Sequence, residues 1–166
     1  MKLILKADRL IDGSSTKVMP HAAVVIEGDT ISKVCSQSEL AETELDDARV
    51  IDSSNGTLMP GFIEMHSHIH CSAESDAYTH ITTETNETFL LRGSQAVRSA
   101  LSSGVTTMRD LGSKNEVVFP LKQSIEDGIV PGPRLLVAGT PITTTGGHCN
   151  TFGTEADSSD QVVTAI

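Results

Sequence analysis

The chain has 166 residues, 38% of them hydrophobic and 3% aromatic, with no Trp and a formal charge of −10 from 12 basic and 22 acidic side chains. That is enough apolar material for a domain-sized aliphatic core. No stretch is rich in Lys or Arg, so the cationic footprint that a nucleic-acid partner requires is absent. No window approaches the run of about 18 apolar residues that spans a membrane.

From the N-terminus, LILKADRLIDG predicts a strand ending at the turn-forming pair Asp12-Gly13. AAVVIEGDTISKVCS predicts a hairpin that bends at Glu27-Gly28-Asp29. SELAETELDDA is acidic and reads as a loop or short exposed helix, and ARVIDSSNGTLMPG reads as a second hairpin bent at Ser54-Asn55-Gly56. The character then changes. FIEMHSHI predicts a strand. ETFLLRGSQAVRSALSSG predicts a helix, with Leu90, Ser94, Val97 and Leu101 on one face and a stop at Gly104. VTTMRDLG is a second strand. NEVVFPLKQSIEDG is a second helix with Val117, Val118, Leu121 and Ile125 at helical spacing, and Pro120 is tolerable in its first turn. PRLLVAGTPI is a third strand, and DSSDQVVTAI starts a third helix with Ser158 or Ser159 as N-cap. Alternating strands and helices predict parallel strands with crossover helices, an α/β fold. The last helix carries no stop signal before Ile166, so the chain reads as cut within it.

Three cysteines, Cys35, Cys71 and Cys149, are odd in number and far apart. They suggest a reducing compartment, by default the cytoplasm, and the short apolar run at the N-terminus is no signal peptide.

Chemistry concentrates in LMPGFIEMHSHIHC, residues 58–71. In a regular strand, residues at i and i+2 share a face, so His66 and His68 project together, with Glu64 one step deeper. They stand near the C-terminal end of the first parallel strand, where α/β proteins place their sites. Two imidazoles on one face can chelate a metal, although a His-x-His pair in a chain with 6 histidines also arises by chance. Arg109 and Asp110 end the second strand; a surface ion pair or a turn aspartate is the alternative to a site there, and it is the plainer reading for Arg109. After the third strand, Thr143 to Thr145, Gly146-Gly147 and His148 form a polar loop whose glycines permit close backbone approach to a ligand; a solvated loop histidine is the plainer reading of His148.

The motifs LMPGFIEMHSHIH, SGVTTMRDLGS and GPRLLVAGTPITTTGGH, in this order, resemble the metal-dependent amidohydrolase superfamily, in its imidazolonepropionase-like and Xaa-Pro dipeptidase-like branch. The N-terminal ADRLIDG…AAVVIEGDTISKV is similar to the start of that family. The resemblance implies a partial (β/α)8 TIM barrel of three β/α units over residues 58–166, with residues 1–57 contributing to a small composite β-sandwich. It implies that His66 and His68 bind the more buried divalent metal, zinc by expectation and one or two ions in the full-length protein, and that His148 contacts substrate. The family usually has Asp where this chain has Glu64; His70 and Cys71 match no ligand position and read as loop or packing residues.

The implied reaction is hydrolysis of an amide-type C–N bond by metal-activated hydroxide, on an Xaa-Pro dipeptide or a cyclic amide. The expected partners are a small-molecule or dipeptide substrate and, for the full-length protein, other copies of itself; nucleic acid and membrane are not expected. The family's bridging carboxylated lysine, two further histidines and general-base aspartate come from later strands of an eight-stranded barrel, which takes about 250 residues. They would fall beyond Ile166, so the chain alone is expected to hold no catalytic residue, to bind metal weakly and to be inactive. Two other readings stand beside this one: a small metal-binding module of His66, His68, His70 and Cys71, and a non-catalytic protein of amidohydrolase fold kept for assembly.

Overall fold

The computed structural model describes residues 2–71 and 75–166, with nothing drawn from the side chain of Ala77. It divides into two compact units, Met1–Pro60 and Gly61–Ile166.

The first unit is one sheet of four strands. β1 (Lys2–Leu10), β2 (Met19–Glu27), β3 (Thr30–Ser36) and β4 (Ala48–Leu58) lie in the order β3-β2-β1-β4. The β2–β3 hairpin turns at Gly28, whose φ of 67° is the left-handed conformation that glycine supplies without strain. The acidic stretch after it holds one turn of 3₁₀ helix (Gln37–Glu39) and the short exposed α1 (Glu42–Leu45). The second expected hairpin does not form. Ser54-Asn55-Gly56 lies inside β4, which runs parallel to β1 as one strand. The register jumps from Ala7↔Ser53 to Arg9↔Thr57, so these three residues face Asp8 alone across a bulge. Turn-forming residues here make an irregularity in a strand. Leu10, Ala22 and Val24 form the buried cluster of the sheet, flanked by Leu5, Ile26 and Leu58.

The second unit is mixed α/β. β5 (Phe62–Ser67), β6 (Val105–Asp110) and β7 (Arg134–Val137) form a parallel sheet in sequence order. Between β5 and β6 run α2 (Ala77–Thr83) and α3 (Asn86–Ser102); α4 (Val118–Glu126) connects β6 to β7. Two-residue strands β8 (Ile142–Thr143) and β9 (Thr154–Glu155) pair beyond them, and α5 (Ser159–Ala165) follows. Ser158 caps α5, its side chain accepting the Gln161 N–H. Pro120 occupies the first turn of α4, where its missing N–H costs nothing.

α2 was not anticipated from its Thr-rich, β-branched sequence. Asp76 caps it by accepting the Thr79 N–H, and Lys114 Nζ donates to the carbonyls of Ile81 (2.7 Å) and Glu84 (3.3 Å) at its other end. Glu84 also accepts from Arg92 Nε on α3 at 2.8 and 2.7 Å.

The core joins Ile69, Val97 of α3, Met108 of β6, Val118 and Leu121 of α4, and Leu135 of β7. Each large side chain removed from water here contributes about 1.5–3 kcal/mol. The buried face of α3 is Phe89, Gly93 and Val97, one residue round from the face expected; Leu90 only flanks the cluster and Leu101 is exposed. Gly93 explains the offset. A Cβ there would stand 2.7 Å from the His70 ring and 2.9 Å from Leu121, so only glycine lets α3 approach this closely. No helix of the described residues is long and apolar enough to cross a membrane.

Gly93→Ala should therefore destabilise the chain by about 1–3 kcal/mol through overpacking, against a gain on helix propensity alone; the urea midpoint measures this. The Arg92 hydrogen bonds hold the Glu84 carboxyl below its ordinary 4.5. Their stabilisation is present above that value and lost as pH falls below it. Glu84→Gln should make acid unfolding shallower in that window, as read by denaturation at stepped pH.

Candidate metal centre

The pair His66 and His68 sits where β5 ends, and a bulge decides which way it points. Glu64 pairs with Met108, but Ser67 pairs with Asp110. Met108 and Asp110 lie two apart and share a face, so Glu64 and Ser67 share it too, although three positions separate them. The extra residue flips the alternation. His66 and His68, flanking Ser67, lie on the face opposite Glu64. The expectation that Glu64 lies on the histidines' face is thus overturned by one inserted residue. Glu64 instead curls back, Oε1 accepting the His66 N–H at 2.9 Å, and Arg109 Nε donates to the Met65 carbonyl at 2.7 Å.

The imidazoles of His66 and His68 meet edge to face with centroids 5.7 Å apart. His68 Nδ1 donates to the Gly112 carbonyl at 3.0 Å, since a carbonyl can only accept. Its tautomer is thereby fixed and Nε2 is left as the nitrogen able to ligate, the usual arrangement for a metal-binding histidine. The chemistry of the pair fits a divalent ion.

Asp110, for which a surface ion pair or a turn aspartate stood as one reading, is fully buried. Oδ2 accepts the Ile69 N–H at 2.8 Å and Oδ1 the Gly112 N–H at 3.0 Å. One carboxylate thus ties the chain just after His68 to the residue whose carbonyl holds the His68 ring. Burial pushes its carboxyl up, and the two backbone donors pull it back.

His70 belongs to the core. It is 2% exposed, stacks on Phe89 at 4.8 Å and shares a 2.9 Å hydrogen bond between Nδ1 and the Ser113 hydroxyl. Burial lowers its pKa to about 4, which keeps it neutral where unburied histidines begin to charge. Burial also pushes the Cys71 thiol up, away from the thiolate a metal prefers. Of the loop that the sequence predicts to begin at Cys71-Ser72, Ser72 lies outside the described residues. Among the described residues no three His, Cys, Asp or Glu side chains group to hold a metal, so the module of His66, His68, His70 and Cys71 finds no support.

His148 is exposed on the loop between β8 and β9. That loop is pinned by Asp157, which accepts from the Thr145 backbone N–H at 2.8 Å and hydroxyl at 2.6 Å, and by Glu155, which accepts the Gly146 N–H at 2.7 Å. No hydrogen bond, ion pair or ring contact among the described residues joins His148 to His66 or His68.

This mixed α/β architecture is shared with solved structures of hydrolases. The model of the amidohydrolase family matches residues 57–165, and the chain belongs to that family, which generally uses divalent metals. Ochratoxinase of Aspergillus niger is 30% identical over 158 residues, covering 92% of this chain and 31% of its own length. The chain thus spans less than a third of that curated relative. A crystal structure of an Xaa-Pro dipeptidase with methionine in its active site superposes with a TM-score of 0.80 at 31% identity, covering 96% of this chain and 38% of that one. A prolidase complexed with N-methylphosphonate-L-proline gives 0.83 at 26% identity, covering 99% of this chain and 43% of that one.

Removing the Asp110 acceptor strands two buried N–H groups. Asp110→Ala should cost about 1–3 kcal/mol for each donor left unpaired, and Asp110→Asn, which keeps only one good acceptor, should fall between; denaturant titration orders the three proteins.

Proposed function

We propose that residues 61–166 are the opening units of a (β/α)8 barrel, that His66 and His68 ligate a divalent metal, zinc in the simplest case, and that the whole protein hydrolyses an amide-type C–N bond. The observation that carries this is the edge-to-face imidazole pair at the end of β5, with the His68 tautomer set for ligation through Nε2. The strand order supports the barrel, since β5, β6 and β7 are neighbours in sequence order, whereas doubly wound sheets reverse order at a switch point. The four-stranded sheet of the first unit is read as its part of a composite β-sandwich.

A divalent ion held by His66 and His68 would supply acidified water, with a pKa of about 7, and polarise the scissile carbonyl. His66 and His68 hold the ion and transfer no proton. His148, on a loop that follows the third parallel strand, contacts substrate, and the glycines before it let the backbone come close. The substrate class is a dipeptide with a C-terminal proline or a related acylated amino acid, by analogy with the Xaa-Pro dipeptidase and prolidase. Two protein ligands are fewer than the three a catalytic zinc usually takes, so residues 1–166 alone bind metal weakly and are inactive.

The whole gene product should hydrolyse Xaa-Pro dipeptides in a chelator-sensitive reaction that His66→Ala and His68→Ala each abolish, while Cys71→Ser leaves it intact. Turnover by purified residues 1–166, or activity that survives both histidine substitutions, would overturn the reading.

A further inference from the structure

We propose that Glu64 and Arg109 are positioning residues for His66, clamping the Met65–His66 peptide of the β5 bulge at both ends. The inference rests on the reading of His66 and His68 as a metal pair and adds what fixes the geometry of its first member.

The bulge takes this peptide out of the ladder between β5 and β6, where Glu64↔Met108 gives way to Ser67↔Asp110. A bulged peptide has no strand partner for its polar groups. Here both are taken by side chains. Arg109 Nε donates to the Met65 carbonyl at 2.7 Å, and the His66 N–H donates to Glu64 Oε1 at 2.9 Å. The two bonds pull on opposite poles of one rigid peptide plane. Rotation of that plane is what would swing the His66 side chain away from its neighbour.

The two imidazoles are secured differently. His68 is held through its own ring by Gly112 and through the following peptide by Asp110. Among the described residues no hydrogen bond reaches the His66 ring, whose one ring contact is His68 itself. The position of His66 therefore depends on its backbone, and its backbone on the clamp. Glu64, Met65, His66 and Arg109 are all exposed, so water can replace either lost hydrogen bond at small cost to stability. What water cannot replace is the fixed orientation. A clamp of this kind shows itself in metal affinity and scarcely in folding.

The test uses the full 166-residue chain and Cu²⁺ alone, the first-row divalent ion with the greatest affinity for such sites. Affinity is read by chelator competition, nitrogen coordination by electron paramagnetic resonance, and the His66 amide by hydrogen exchange. Glu64→Ala and Arg109→Met should each weaken Cu²⁺ binding about ten- to hundred-fold, the range for groups that orient a metal ligand, with the urea midpoint nearly unchanged. Glu64→Ala should also speed exchange of the His66 amide. Because both bonds serve one peptide, the double variant should lose less than the two single losses combined. Glu64→Gln, which keeps an acceptor oxygen without the charge, and Arg109→Lys, which keeps a donor, should bind close to the wild type. The proposal is overturned if Glu64→Ala binds as the wild type does while His66→Ala does not. It is also overturned if Glu64→Gln loses as much as Glu64→Ala, since charge and not position would then be the cause. Unchanged binding by both His66→Ala and His68→Ala is a third, separate pattern: it removes the metal reading itself, and this inference with it.

Discussion

The second unit turns on a carboxylate with no access to water. Asp110 accepts the backbone N–H groups of Ile69 and Gly112, and so joins the segment leaving β5 to the segment leaving β6. Burying a carboxyl is costly unless its oxygens are satisfied, and two backbone donors offset that cost. The result is a fixed crossing of two loops at the C-terminal end of the sheet. His68 takes its orientation from Gly112, and Ser113, next along, engages His70.

The three histidines therefore part company along five residues. His66 and His68 stand on one face of the strand end, and His70 lies in the core against Phe89. Three chemically identical side chains have two different surroundings because the chain is buried from Ile69 onward to His70. Gly93 completes the arrangement from the helix side, since only a residue without a side chain lets α3 close over the His70 ring.

Much of this was legible in the sequence. The alternation of apolar strands and periodic helices after Pro60 predicted the parallel α/β unit, and Gly28 with its neighbours predicted the first hairpin. The failures share a cause. Ser54-Asn55-Gly56 has the composition of a turn, yet it is absorbed as a bulge because the strand continues beside β1. Counting in twos puts Glu64 on the histidines' face, and counting fails wherever a strand takes an extra residue. Both errors are long-range: the partner strand decides, and no local window contains it. The burial of Asp110 is hidden from the sequence for a related reason. Its neighbour Arg109 is exposed and a strand end is an ordinary place for a turn aspartate, while its two backbone donors lie on different loops. Only a strand-end carboxylate followed two residues later by glycine hinted at the closed loop.

The first unit carries a consequence for how the chain is made. β1 is an inner strand of its sheet, paired with β2 on one side and β4 on the other. Its parallel partner begins only at Ala48, opposite Lys2. During synthesis the antiparallel neighbours β2 and β3 can close locally, and β1 can join them, but one edge of β1 stays open until Leu58 has emerged. Non-local parallel pairing is slow to form, and an open apolar edge is where chains stick to one another. The interval between making β2 and completing β4 is thus a stretch of translation in which β1 presents an unpaired edge.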